Sequence, residues 1–199
     1  MFIYLWNTMK KVISERVETS SLIIREGITM DIQFLNKICE SWDDKRLTEG
    51  HDFEPGFIEK CINEGDLPPI SDASKERYSF KVAINKANTE IIGFIDLYHG
   101  YPDSETLWIS TMVIDSQHKK KGYGGEIIEA VAREAAINGY KNLGLGVYIQ
   151  NLTGLRFWFK NGFEKIIDIT KGDNNFTSCY SVVKLKKEIK YQYKKSCHC

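Results

Sequence analysis

The sequence predicts an α+β (mixed α/β) domain, a central mixed sheet with helices on both faces, in which an antiparallel meander runs into a strand-helix-strand crossover. Three apolar runs, "RYSFKVAIN", "EIIGFIDLY" and "ETLWISTMVI", are separated only by the short connections "KANT" and "HGYPDS". Connections of that length can join only antiparallel neighbours. From Gly124 to Asn138 the period changes: Ile127, Ile128, Val131, Ala132, Ala135 and Ala136 share one helical face and Glu126, Glu129, Arg133 and Glu134 the other. The run "LGLGVYI" then reads as a strand returned parallel to the third of the meander by a right-handed crossover.

The remaining elements follow in order. Residues 1–20 read as an N-terminal extension, 21–186 as the domain and 187–199 as a basic C-terminal tail. "SLIIREGI" is an opening strand and "TMDIQFLNKICESWDDK" a helix, with Ile32, Leu35, Ile38 and Trp42 at helical spacing. The acidic, punctuated stretch from Asp43 to Ile70 predicts short helices and loops. Gly139 supplies a left-handed helix stop. "NLTGLRFWFKN" is a second short helix, and "GFEKIIDI" with "NFTSCYSVVKL" a closing pair of strands.

Composition limits the function classes. With 27 basic and 27 acidic residues the formal net charge is zero, which argues against broad nucleic-acid binding. Five cysteines without framework spacing read as free thiols of a reducing compartment. "MFIYLW" is too short for a signal segment, and no run reaches the ~20 apolar residues of a membrane span. The expectation is a cytoplasmic protein without membrane attachment. The terminal Cys197, His198 and Cys199 lack a second ligand cluster, so no metal is expected.

Chemistry concentrates in "HKKKGYGG", residues 118–125. Glycines strip the start of a helix of side chains where backbone N–H groups lack intrahelical acceptors, and the neighbouring lysines add positive charge. That combination suits a phosphate. A glycine-rich turn with a solvated lysine run is the plain alternative. The spacing is neither a Walker A loop nor G-x-G-x-x-G.

"MVIDSQHKKKGYGG" resembles motif A of the GNAT N-acetyltransferase superfamily, and "NLTGLRFWFKNGF" is similar to its motif B. With "LIIREGITMDIQFLNKI" as opening strand and helix, the resemblance runs from about Leu22 to Leu185. It implies a GNAT-like sheet and acetyl-CoA as co-substrate. It further implies that Met112, Val113 and Ile114 offer backbone groups to the pantetheine arm; the tetrahedral intermediate of acetyl transfer needs an oxyanion donor, for which the Val113 N–H is the candidate. Lys119, Lys120, Lys121, Gly122, Tyr123, Gly124 and Gly125 would cradle the pyrophosphate. Asn151 would contact the pantetheine region, and the segment from Phe157 to Lys160 would lie near the cofactor. Two departures stand out: Lys119 replaces the usual Arg or Gln, and Trp158 replaces the tyrosine that in many members protonates the departing thiolate. In some members a glutamate stands where this chain has Gly146.

Asp96, Glu105 and Tyr148 are the candidate catalytic groups, with Tyr180 as a further hydroxyl; His51 and His99 are read as loop residues. Gly144 and Gly146 leave one face of their strand bare, which fits a close approach by a ligand. Asp43, Asp44, Glu49, Asp52 and Glu54 would make an acidic wall for a cationic amine. The function so implied is acetyl transfer to a primary amine of a small molecule by direct attack in a ternary complex. Protein N-terminal or lysine acetylation is the alternative enzyme, and an idle acyl-CoA-binding sensor or an unrelated nucleotide-binding module the alternative of another class. The last strands or the N-terminal extension could pair in a homodimer.

Overall fold

The computed structural model describes residues 13–171 and 180–190. The expected terminal Cys-His-Cys group, most of the expected tail and the first residues of the last predicted strand lie outside them. Among the described residues, eight strands form one sheet. They are β1 Arg16–Glu18, β2 Leu22–Glu26, β3 Tyr78–Asn85, β4 Ile91–His99, β5 Thr106–Ile114, β6 Asn142–Tyr148, β7 Lys165–Thr170 and β8 Val182–Glu188. Their spatial order is β1-β2-β3-β4-β5-β6-β8-β7. Only β5 and β6 pair in parallel; every other neighbouring pair is antiparallel. The predicted mixed sheet, meander and crossover are all present.

Five helices cover the two faces: α1 Ile32–Glu40, α2 Lys45–Glu49, α3 Phe57–Asn63, α4 Tyr123–Ile137 and α5 Leu152–Lys160. Strand alternation divides the core. Leu97, Leu107, Ile109, Leu143 and Leu145 pack with Ile127 and Val131 of α4. On the opposite face Phe80, Phe94, Tyr98 and Trp108 pack with Leu35 and Ile38 of α1 and Ile58 and Cys61 of α3. Gly139 stops α4 with φ of +86°. No helix among the described residues is long and apolar enough to cross a membrane.

The sheet begins earlier than the sequence pattern placed it. Ile13 is buried in the α4-side core, and β1 pairs antiparallel with β2 from Arg16 opposite Arg25 to Glu18 opposite Ile23. Ser14 is held to α4 through its N–H and Oγ, which donate to Glu134 Oε2 at 3.0 and 2.7 Å. A strand this short, with charged residues at both ends, carries no periodic signal. Its partners are supplied by residues far along the chain.

The glycine face of β6 also differs from its expected use. Trp108 lies flat on it: a Cβ on Gly144 would stand 2.9 Å from the indole and 3.0 Å from Thr106, and one on Gly146 3.0 Å from Val182. Tyr101 meets the same indole edge-on at 5.0 Å. The close approach signalled by these glycines is made by the protein's own side chains, Trp108 at Gly144 and Val182 at Gly146. Gly144→Ala is therefore expected to overpack this contact and cost about 1–3 kcal/mol of stability, read as a lower denaturant midpoint at unchanged slope; an unchanged midpoint would show that the indole moves aside freely.

Candidate active site

The site begins where β5 and β6 part. Their ladder runs only from Thr106 opposite Asn142 to Ile109 opposite Leu145. Beyond it β6 stays with β8 as far as Tyr148, while β5 stays with β4 as far as Ile114. Two strands committed to different neighbours leave a gap between their C-terminal halves.

A bulge decides what β5 shows to that gap. Ile95 opposes Met112 and Leu97 opposes Ile109, so Asp96 faces both Ser110 and Thr111. Past the bulge, Thr111 N–H donates to Asp96 Oδ1 and Asp115 N–H to the Ile92 carbonyl, both on the β4 side. With a two-residue strand period, the backbone groups of Met112 and Ile114 face the gap. Val113 is turned the other way, and a Cβ on Gly93 of β4 would collide with its carbonyl. Of the three expected backbone donors, two face the opening; the expected oxyanion donor Val113 does not, because the β4 ladder uses it.

The lysine–glycine turn lies beyond Ile114, at the start of α4. Asp115 caps a single helical turn by accepting from Gln117 N–H at 2.8 Å. Lys120 and Gly122 then take left-handed conformations, with φ of +63° and +90°, and Gly122 is the N-cap of α4. The first helical bond is Glu126 N–H to the Gly122 carbonyl, so the N–H groups of Tyr123, Gly124 and Gly125 belong to those a helix start leaves without an internal acceptor. Lys119 reaches back over Trp42, its Nζ 6.0 Å from the ring centre; Lys120 and Lys121 are exposed.

The three glycines have different physical reasons. Gly122 has open space around it and needs the left-handed φ. Gly124 admits α5: a Cβ there would stand 2.9 Å from the Phe157 ring and 3.4 Å from Met112. Gly125 lies against Asn161, whose Oδ1 would be 3.2 Å from a Cβ. Phe157 thus forms the wedge between the gap and the helix start. Lys160 is exposed beside Asn161 in the last turn of α5.

Asn151 opens α5. Its Oδ1 accepts from Gly154 N–H at 2.7 Å as the N-cap of α5, and its Nδ2 donates to Glu49 at 3.4 Å. Trp158 packs in the core, edge-on to Phe157 and Phe163 at 4.8 and 5.2 Å.

The candidate catalytic groups separate. Glu105 precedes β5 at its closed end and pairs with Lys141. Four strand residues lie between it and the bulge, a span of about 17 Å, so it stands away from the gap. Asp96 is fully buried in the sheet, accepting also from Tyr78 Oη at 3.0 Å. Tyr148 ends β6 on the α1–α3 face of the gap. Burial, and then the nearby Glu49 charge, push its hydroxyl above the ordinary phenol range and keep it protonated.

Around Tyr148 the fold assembles a polar cluster. His51 Nε2 lies 3.2 Å from Tyr148 Oη. Lys45, almost fully buried, has its Nζ 3.0 Å from Glu49 and 3.3 Å from His51 Nδ1, and 4.7 Å from the centre of Phe53. Tyr180 stacks on Gly50 and meets Tyr148 edge-on at 6.3 Å. The expected acidic wall is partly answered by its own chain: Lys45 pairs with Glu49, and Arg46 with Asp52 at 3.3 Å. His51 is exposed in a loop, as the sequence suggested, and is joined to a residue 97 positions away, a distance no local pattern encodes. His99 is not in a loop: it is buried at the end of β4, and burial, with Lys81 and Arg77 nearby, pushes its imidazole down to about 4.

The model of the acetyltransferase (GNAT) family matches residues 39–163, more than half of the chain. The chain belongs to the GNAT acetyltransferase family. Solved structures agree in fold. A GNAT-family acetyltransferase from Bacillus anthracis superposes with a TM-score of 0.67 at 15% identity, covering 88% of this chain and 99% of that one. A protein provisionally assigned as a phosphinothricin N-acetyltransferase gives 0.64 at 19% identity, covering 86% and 100%. A Bacillus subtilis acetyltransferase in complex with CoA gives 0.54 at 17% identity, covering 84% and 97%. No curated protein matches the chain. Among the described residues no cluster of His, Cys, Asp or Glu is placed to hold a metal ion.

Burial raises the Asp96 carboxyl to about 8, with the Asp66 charge adding to it and the Thr111 and Tyr78 hydrogen bonds opposing it. An unfolded aspartate ionises near ~4, so between these values the unfolded chain is charged where the folded one keeps its proton. This group's contribution to stability therefore falls as pH rises, by up to about 1.4 kcal/mol per pH unit, and levels off above pH ~8. Asp96→Asn should remove that slope. Denaturant unfolding of both proteins from pH 5 to 9 checks it: a difference independent of pH would mean that Asp96 titrates as an ordinary carboxylate.

Proposed function

We propose that this GNAT-family protein is an acetyl-CoA-dependent N-acetyltransferase that moves an acetyl group to a primary amine of a small molecule by direct attack in a ternary complex. One observation carries the reading. The unpaired backbone edge of β5 at Met112 and Ile114 leads straight to the uncovered start of α4, a length of strand hydrogen-bonding groups followed by an anion site. An extended amide-bearing arm with a pyrophosphate at its end matches both in sequence. Coenzyme A has that chemistry, and CoA is the molecule bound by the structurally similar B. subtilis protein.

The chain's own residues would divide the work. The Met112 and Ile114 edge would hold the pantetheine amides as an added strand. The N–H groups of Tyr123, Gly124 and Gly125, with Lys119, Lys120 and Lys121, would hold the pyrophosphate. Phe157 would fill the space between them. A backbone N–H on the gap side of β5 would serve the oxyanion of the tetrahedral intermediate.

The acceptor must arrive as free amine, and only about one in a thousand alkylamines is unprotonated near neutrality. After attack the nitrogen gives up its proton and the thiolate takes one. Tyr148, on the α1–α3 face of the gap and kept protonated by burial, would give it; His51 adjoins the same hydroxyl. This hydroxyl from β6 would take the place of the α5 tyrosine that the chain lacks. The small-molecule reading has a parallel in the similar protein assigned to phosphinothricin.

Calorimetric titration with acetyl-CoA tests the coenzyme site. Gly122→Glu puts a carboxylate at the helix start, and Gly122→Ala, expected to bind more tightly than Gly122→Glu, controls for the strain any side chain meets at that left-handed φ; Gly124→Glu would instead strike Phe157. Wild-type binding weakened at least tenfold in Gly122→Glu is expected, followed by acetylation of one or more members of a small-amine panel that includes phosphinothricin. A folded wild-type protein that does not bind acetyl-CoA would overturn the proposal.

A further inference from the structure

We propose that Asp96 is a positioning residue that sets the phase of β5 at the gap: its carboxyl group holds the bulge at Ser110–Thr111, and the bulge turns Met112 and Ile114 toward the coenzyme. This rests on the coenzyme reading of the gap given above.

The phase change is visible on both sides of the bulge. Before it, the Thr106 carbonyl accepts from Gly100 N–H on the β4 side, so Thr106, Trp108 and Ser110 turn their backbone groups to β4. After it Thr111, Val113 and Asp115 do so. The side chains change with the backbone. Leu107 and Ile109 lie in the core beneath α4 and Trp108 in the α1–α3 core; beyond the bulge Met112 and Ile114 pack beneath α4 and Val113 in the α1–α3 core. A regular strand would keep its first phase, offer Val113 to the gap and bring Met112 into the opposite core, because a one-residue slip exchanges the two faces.

The extra residue falls opposite Asp96, whose Oδ1 accepts from Thr111 N–H. A buried donor without an acceptor is costly, so the Asp96 carboxyl stabilises the bulge at this place. Asp96 has no exposed surface and its other oxygen accepts from Tyr78. It therefore acts through β5 and not by taking a proton from an acceptor. Gly93 completes the arrangement by admitting the Val113 carbonyl. The raised proton affinity of Asp96 fits the role, since both the neutral and the ionised carboxyl keep an oxygen for Thr111.

Full-length wild type, Asp96→Asn, Asp96→Ala and Tyr78→Phe are compared by acetyl-CoA calorimetry and by hydrogen exchange of the Thr111 amide. Asp96→Asn keeps an acceptor oxygen and should bind within about threefold of wild type with Thr111 still protected. Asp96→Ala should bind at least tenfold more weakly, with Thr111 exchanging at least tenfold faster. Tyr78→Phe removes the other partner of the same carboxyl and should lower stability while leaving affinity within about threefold. Should Asp96→Ala not fold, the other two variants decide: a folded Asp96→Asn that loses tenfold in affinity, or a Tyr78→Phe that does, overturns the inference. So does an Asp96→Ala protein that binds as wild type. Failure of wild type to bind acetyl-CoA is a separate result that removes the coenzyme reading and this inference with it.

Discussion

The structure depends on one constraint: β5 and β6 can be neighbours for only four residues each. β6 has a full antiparallel partner in β8 and β5 one in β4. Each partner draws its strand along a different twist, and the shared ladder ends at Ile109 and Leu145. An open sheet edge inside a protein normally costs unpaired backbone groups. Here the two edges face each other across a gap, where the proposed coenzyme arm would meet those backbone groups.

Everything on the anionic side follows from the end of that gap. β5 leads through the Asp115-capped turn to α4, so the helix start lies in line with the open strand edge. The glycines there serve geometry and packing in turn. Gly122 reverses the chain; Gly124 lets Phe157 approach and so couples α4 to α5. Glu126 ties the same first turn to the opening strands, accepting from Ser20 Oγ and Ser21 N–H at 2.9 and 2.7 Å. The start of α4 is thus fastened on two sides.

The opposite side of the gap is built from distant segments. The stretch from Lys45 to His51 is bound to the β6–α5 turn twice, through His51 with Tyr148 and Glu49 with Asn151. Tyr180 closes over Gly50 from the approach to β8. Lys45 holds the carboxylate and imidazole of that strap together between Trp42 and Phe53. Trp42 also touches Lys119 of the anion turn, so one aromatic ring adjoins both halves of the site.

The amino-acid sequence by itself determined the meander, the crossover, the α4 boundaries to within a residue and the lysine–glycine turn. Each is local: strand alternation, helical period and left-handed glycine conformations are set by neighbouring residues. Tertiary structure decided the rest. That Met112 and Ile114 turn to the gap, and Val113 away from it, is decided by the bulge opposite Asp96. Glu105 and Asp96 look alike as strand carboxylates, yet one pairs with Lys141 at the closed end and the other is sealed in the sheet. The pair of Gly144 and Gly146 announced a close approach but not that Trp108 and Val182 make it. His51 and Tyr148 met only because β6 ends beneath α2. Contacts between residues so far apart in the chain are fixed by which faces the whole sheet buries, and no window of sequence contains that information.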